Sequence, residues 1–238
     1  MSNFVLVHGA WHGGWCYARV ADRLRAEGHR VFTPTLTGLG ERSHLADLGR
    51  INATTHIRDV INVIQWEQLS EVVLCGHSYG GMIIAGVADA LPQSIASIVY
   101  LDAIVPESGK TMLEQLTAPM VETFLKAVAD HGNGYLLPPL PATAFNVNPA
   151  DRAMVDALCT PHPFLTYTER VELTGAYMDI AKKTFVEATD WEWSGANSLS
   201  GASKARLGAD WTMLAISSGH DLMLDAPDEV ARILADAI

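Results

Sequence analysis

The residues best suited to chemistry stand in one short run, Gly76-His77-Ser78-Tyr79-Gly80-Gly81. The apolar run Val72-Val73-Leu74-Cys75 precedes it, and Met82–Leu91, a helical pattern stopped by Pro92, follows it. A serine between glycines at a strand–turn–helix junction is lifted clear of the sheet. The glycines are required because strand and helix approach closely and the serine backbone is strained. The chemistry that suits this placement is nucleophilic attack by Ser78, at the positive end of the following helix. The plainer reading is a tight turn with a capping serine.

Serine attacks poorly unless a base takes its proton. The segment Ser217-Ser218-Gly219-His220-Asp221 offers one late in the chain, between the last strand candidate and the last helix. That places His220 at the carboxyl edge of a sheet, beside Ser78, where open α/β sheets build their sites. The other histidines compete poorly. His29, His44, His56, His131 and His162 fall on helices, turns or a cap, and His77 should point away from its neighbour. His8 and His12 read as loop-packing or pocket-lining residues. Their i, i+4 spacing suits a metal pair on a helix rather than on a glycine loop, so no metal is expected. That loop, His8-Gly9-Ala10-Trp11-His12-Gly13-Gly14-Trp15, faces the serine turn. The backbone N–H groups of Ala10 and Tyr79 are the natural pair of oxyanion donors. A phosphate cradle is the rival, but neither G-x-G-x-x-G nor G-x-x-x-x-G-K-[ST] is present.

The elements that must position these groups alternate along the chain. Strand candidates are Phe4–His8, Arg30–Thr33, Glu71–Gly76, Ile95–Leu101, Lys183–Thr189 and Trp211–Ser217, most of them continuously apolar. Such runs fit a parallel sheet covered on both faces. Helices are expected over Trp15–Glu27, Thr55–Leu69, Met82–Leu91 and Pro227–Ile238. The alternation predicts a doubly wound, mostly parallel six-stranded α/β sheet. From about Pro106 to Asp179 the rhythm breaks. Helices are expected there over Met112–Ala129, Pro149–Leu158 and Thr168–Ile180, with a proline-rich turn at Leu137–Pro141. The domain reading is a core of 1–105 and 181–238 with a mainly helical cap, 106–180, inserted between sheet strands.

Composition narrows the partners. Of 238 residues 49% are hydrophobic and 18% charged, enough to bury a core. The net charge of −11 would repel phosphate backbones and anionic lipid, so neither nucleic acid nor membrane is expected. Cys16, Cys75 and Cys159 are odd in number and widely spaced, which indicates no disulfide framework. Met1-Ser2-Asn3 leads straight into Phe4-Val5-Leu6-Val7 without the look of a targeting segment, and no stretch approaches a membrane span. A cytoplasmic location is the default expectation.

The runs Phe4–Cys16 and Cys75–Gly81 make a more specific statement. They resemble the α/β-hydrolase branch that contains EstC-type esterases, plant methyl esterases and plant hydroxynitrile lyases, and the similarity is weakest in the cap. The resemblance implies a minimal six-stranded sheet under a helical cap, small-ester chemistry and no cofactor. It also supports Ala10 and Tyr79 as oxyanion donors. The lyases of this branch carry a lysine directly after the histidine, where this chain has Asp221, and an acidic neighbour disfavours a developing anion.

The resemblance leaves the third catalytic member open. In the plant relatives an Asp follows the strand equivalent to Lys183–Thr189, six positions after an aromatic. Counting from Phe185 reaches Trp191, with Asp190 one residue early, and one residue can reverse a side chain's direction. Asp102, in Tyr100-Leu101-Asp102-Ala103, ends the strand after the nucleophile helix, a position from which haloalkane dehalogenases take their acid. Asp102 is preferred to Asp190, with Asp221, Asp225 and Glu192 more distant; its plainer role is to cap the following turn. The expected activity is a serine carboxylesterase cleaving a small or aromatic ester through an acyl-enzyme. Carbamate or amide hydrolysis, lyase chemistry and non-catalytic ligand binding stand as alternatives. Trp11, Phe124, Phe164 and Tyr167 are expected to bind substrate, with Tyr79 and Met178 as further liners, although packing of cap on sheet explains the cap aromatics equally well. Besides the ester, a second copy of the chain (a homodimer) is the one partner left open.

Overall fold

The computed structural model describes residues 1–48, 50–191 and 199–238. In chain order its elements are β1 (Asn3–Val7), α1 (Ala18–Ala26), β2 (Arg30–Phe32), α2 (Ala53–Trp66), β3 (Val72–His77), α3 (Gly80–Ala90) and β4 (Ile95–Leu101). Then come α4 (Ala118–His131), β5 (Leu136–Leu137), α5 (Arg152–Leu158), β6 (His162–Pro163) and α6 (Leu165–Thr168). The chain closes with β7 (Lys182–Ala188), α7 (Leu199–Lys204), β8 (Trp211–Ile216), α8 (Leu222–Asp225) and α9 (Pro227–Asp236).

Six strands form one sheet in the order β2-β1-β3-β4-β7-β8, and each neighbouring pair is parallel. β3 lies inside it, with Cys75 opposite Leu6 on one side and Val99 on the other. All six of its residues are buried, which is why its sequence does not alternate. α1 packs with α9 and α2 with α3. The chain steps from β1 outward to β2, then crosses back to β3 on the other side of β1. With right-handed crossovers the two helix pairs cover opposite faces. The strand order reverses between β1 and β3, so the loops leaving these strands diverge and open a crevice at the carboxyl edge. Among the described residues no helix is long and apolar enough to cross a membrane.

The six strands lie within one residue of their expected positions. The helices differ more. α2 starts at Ala53 because Asn52 accepts the N–H of Thr55 at 2.9 Å and Thr55 Oγ1 answers the N–H of Asn52, a reciprocal cap. Trp15–Glu27 divides into a 3₁₀ turn, Gly14–Tyr17, and α1. Met112–Ala129 divides likewise, α4 beginning next to Pro119, and Pro149–Leu158 starts only at Arg152.

The helix expected over Thr168–Ile180 is absent, and only the 3₁₀ turn Ala176–Asp179 forms there. Its backbone is satisfied from outside. Asp89 accepts the N–H groups of Thr174 and Gly175 at 2.8 and 2.9 Å, and Gly175 has φ +97°, outside any helix. Glu169 meanwhile accepts from Thr54 N–H and Asn52 Nδ2 at the start of α2. Those carboxylates dock the segment onto the core instead of letting it coil. The antiparallel pair β5–β6 leaves no mark on the sequence pattern, because two residues per strand carry no periodicity.

Candidate active site

Ser78 follows β3 directly and has φ +53°; it is half-buried between wholly buried neighbours. Its N–H donates to Leu101 O at 3.2 Å, and its carbonyl accepts from Gly81 N–H and Ile104 N–H. The flanking glycines answer a specific contact. A Cβ on Gly76 would stand 2.7 Å from Gly80 O, and one on Gly80 would stand 2.7 Å from both Val7 O and His8 O. The turn therefore closes only while strand and helix meet backbone to backbone.

His220 and Asp102 lie beside it. His220 Nδ1 is 2.7 Å from Asp102 Oδ2, and both residues are buried. A carboxylate only accepts, so Nδ1 carries the proton and Nε2 is left to take another. Asp102 has φ +41° and its N–H donates to Val186 O at 2.7 Å, which ties the end of β4 to β7. His220 lies between two rings. Trp191 stacks on it at 4.2 Å with 24° between planes, and Phe145 stands 5.7 Å away. Its N–H donates to Phe145 O at 2.9 Å, a contact that passes so close to Gly219 that a Cβ there would meet Asn146 O at 2.4 Å.

The competing carboxylates are occupied elsewhere. Asp190 is exposed and accepts from Ser217 Oγ, Asp225 accepts from Asn148, and Asp221 pairs with His12. Glu192 lies outside the described residues.

The loop after β1 is held by three histidines. His8 Nε2 accepts the N–H of Leu36 at 3.1 Å, so its Nδ1–H donates to Gly9 O at 2.8 Å. The Gly9–Ala10 peptide whose carbonyl is held in this way carries the Ala10 N–H. His162 Nδ1 accepts the N–H of Trp11 at 3.3 Å, and His12 Nδ1 lies 2.8 Å from Ala10 O. Burial lowers the His8 pKa to about 3, and burial with neighbouring histidines keeps His162 far below the usual range, so both stay neutral. Neither the Ala10 N–H nor the Tyr79 N–H is engaged by another group among the described residues. The Tyr79 ring turns away, its hydroxyl donating to His56 Nδ1 at 3.0 Å, since His56 Nε2–H donates to Thr37 O. His77 also turns away from the pocket and donates to His220 O at 2.9 Å.

One small apolar pocket gathers Ser78, His220, Ala10, Trp11, Phe124 and Tyr167 with Met112, Met120, Leu140, Phe145 and Trp191. Phe164 does not line it. That ring sits one layer out, stacked on Tyr167 at 5.9 Å, and Tyr79 and Met178 are likewise not on the wall. Of the remaining liners, Trp191 is the residue that the count from Phe185 reaches in place of a carboxylate. Phe145 and the two methionines carry no local signal, since distant stretches of chain bring them together. Among the described residues no group of three or more His, Cys, Asp or Glu could hold a metal ion.

Residues 4–233 match the family model described as the alpha/beta hydrolase family. The chain is 42% identical over 243 residues to the carbendazim hydrolyzing esterase of Nocardioides sp. (strain SG-4G), with 99% of each covered. It is 34% identical over 117 residues to methylesterase 2 of Arabidopsis thaliana, a match spanning 44% of this chain and 41% of that protein. In structure it is similar to an extracellular alpha/beta-hydrolase from a Paenibacillus species, with TM-score 0.87 at 23% identity over 100% of this chain and 99% of that one. That last likeness concerns the fold alone. With the whole-length matches to a family model and to a named esterase, the chain belongs to the alpha/beta hydrolase family and is an enzyme of its esterase branch.

Proposed function

We propose that this enzyme cleaves small or aromatic carboxylic esters through a covalent acyl-enzyme on Ser78. His220 Nε2 takes the proton as Ser78 Oγ attacks the carbonyl, while Asp102 holds Nδ1–H and stabilises the imidazolium. The Ala10 and Tyr79 N–H groups receive the oxyanion. His220 then protonates the departing alcohol oxygen and the acyl group stays on Ser78. Water loses a proton to His220 as it attacks the acyl carbon, and the acid departs as His220 hands that proton to Ser78 Oγ. Residues 106–180 act as a cap that walls the pocket and excludes bulk water. The observation that carries this reading is the buried 2.7 Å contact between His220 and Asp102, beside a serine on a positive-φ turn in the same pocket.

Carbamate esters belong within the same reading. The relative that is 42% identical is named for carbendazim, an aromatic carbamate ester, and the acyl-enzyme scheme applies to a carbamoyl group unchanged. The apolar, aromatic-walled pocket suits a flat ring. Hydroxynitrile cleavage is disfavoured, since no lysine follows His220. A fluorophosphonate label and a p-nitrophenyl acetate assay on wild type and Ser78→Ala test the assignment. The wild type should take one label per chain and turn over, and Ser78→Ala should do neither. A wild type that takes no label and shows no turnover overturns it. Carbendazim, short alkyl esters and lactones then rank the substrate classes by kcat/KM.

A further inference from the structure

One pair of buried charges takes no part in the proposed reaction. His12 and Asp221 are 2% and 0% exposed, with His12 Nε2 3.1 Å from Asp221 Oδ2. The second ring nitrogen of His12 is 2.8 Å from Ala10 O. A carboxylate and a carbonyl both only accept, so each ring nitrogen carries a proton and His12 is an imidazolium. The electrostatics agree. Burial opposes the charge on His12, but Asp221 outweighs it and holds the His12 pKa well above the ordinary histidine value. Burial likewise opposes the Asp221 carboxylate, and His12 brings its pKa down to about 2.

Stability alone does not account for such a pair, because apolar side chains of similar volume often serve equally well. Its position does. His12 reaches back to the carbonyl of Ala10, and Asp221 directly follows His220. The pair also extends to His77, whose Nε2 is 3.8 Å from Asp221 Oδ1 and donates to His220 O. Trp11, on the far side of the braced peptide, has φ +65°, a conformation that persists only where its surroundings impose it.

We propose that the His12–Asp221 ion pair is a brace of two positioning residues that locks the loop carrying the Ala10 oxyanion donor to the loop carrying His220. The inference rests on the reading of Ser78, His220 and Ala10 given above. The brace couples two groups that must act in one step, so that neither the oxyanion donor nor the base drifts while charge develops on the substrate.

Two double variants isolate the brace from simple packing. In His12→Asn/Asp221→Asn the amide nitrogen falls where Nδ1 was and keeps the Ala10 contact. In His12→Gln/Asp221→Asn it falls where Nε2 was and loses that contact. Neither leaves a lone buried charge. The readouts are kcat and KM on p-nitrophenyl acetate, and Ki for a trifluoromethyl ketone and for its methyl ketone counterpart. The Gln variant should lose about 10–100-fold in kcat and in trifluoromethyl ketone affinity, with KM and methyl ketone affinity within about twofold. The Asn variant, which keeps the Ala10 contact but severs the link to the loop carrying His220, should show the same pattern of losses. Wild-type kcat in either variant, or an equal loss of affinity for both ketones, overturns the brace. Should either variant fail to fold, ¹⁵N NMR of the wild type decides: His12 must be protonated on both ring nitrogens at pH 7.5, and a single proton overturns the proposal. A wild type that Ser78 labelling leaves untouched fails the underlying reading instead, and so distinguishes the two.

Discussion

Asp102 leaves its strand in a left-handed conformation, φ +41°, at the residue where its carboxylate meets His220. For most residues that conformation costs on the order of 1–3 kcal/mol, and Asp and Asn tolerate it best. Asp102→Asn therefore keeps the backbone preference and the shape while removing the charge, so it tests chemistry rather than folding. We expect kcat to fall about 10³–10⁴-fold with the urea midpoint little changed. Asp190→Asn should stay within about twofold, because that carboxylate is exposed and taken by Ser217. The reverse pattern of losses would move the acid to Asp190. Sequence could narrow the acid to two strand ends, since both lie at the carboxyl edge. It could not say which side chain turns inward, because direction at a strand end depends on the register of the neighbouring strand. The same limit hid Trp191, which stacks on His220 where counting had looked for a carboxylate.

Elements explain why the serine turn was legible and the wall above it was not. β1, β3 and α3 meet through glycine contacts encoded within a few residues of Ser78, so a local motif carries the geometry. The stretch between β4 and β7 follows tertiary demands instead, as where Asp89 and Glu169 replace a helix expected from its residues. A test at this scale is Gly80→Ala. The new Cβ would stand 2.7 Å from two backbone carbonyls that cannot rotate away, so α3 must retreat from the β1 loop. That shift separates the Ala10 and Tyr79 N–H groups, which lie on opposite sides of the contact. Overpacking of this kind costs about 1–3 kcal/mol, and a misplaced donor costs about 10²-fold in rate. Urea unfolding and kcat together check it, and a variant with wild-type turnover would show that the contact does not set the oxyanion geometry.

For the molecule as a whole two electrostatic effects compete on acidification. The net charge of −11 shrinks toward zero near the pI of 5.1, which relieves repulsion and should favour the compact state. The buried histidines oppose this. Burial brings His8 to about 3 and His56 to about 4, and His77 and His162 are also held low, chiefly by burial. In the unfolded chain each titrates near its ordinary value of 6.5. Between that value and the folded one the unfolded state binds more protons, so stability falls as pH falls. At pH 5 this amounts to about 2 kcal/mol for each of His8 and His56, a large part of a typical total of about 5–15 kcal/mol. The Asp221 carboxylate does not alter the trend, because its contribution is lost only as pH falls from about 3.8 through about 2. His12, with its raised value, contributes fully below 6.5 and loses its share only on the alkaline side. The histidines should therefore prevail over surface charge. The urea midpoint should drop steadily from pH 7 to pH 4.5, and His56→Gln should flatten that slope because glutamine does not charge. A midpoint that rises toward pH 5 would mean that surface repulsion, not the neutral histidine core, governs the acid limit of this fold.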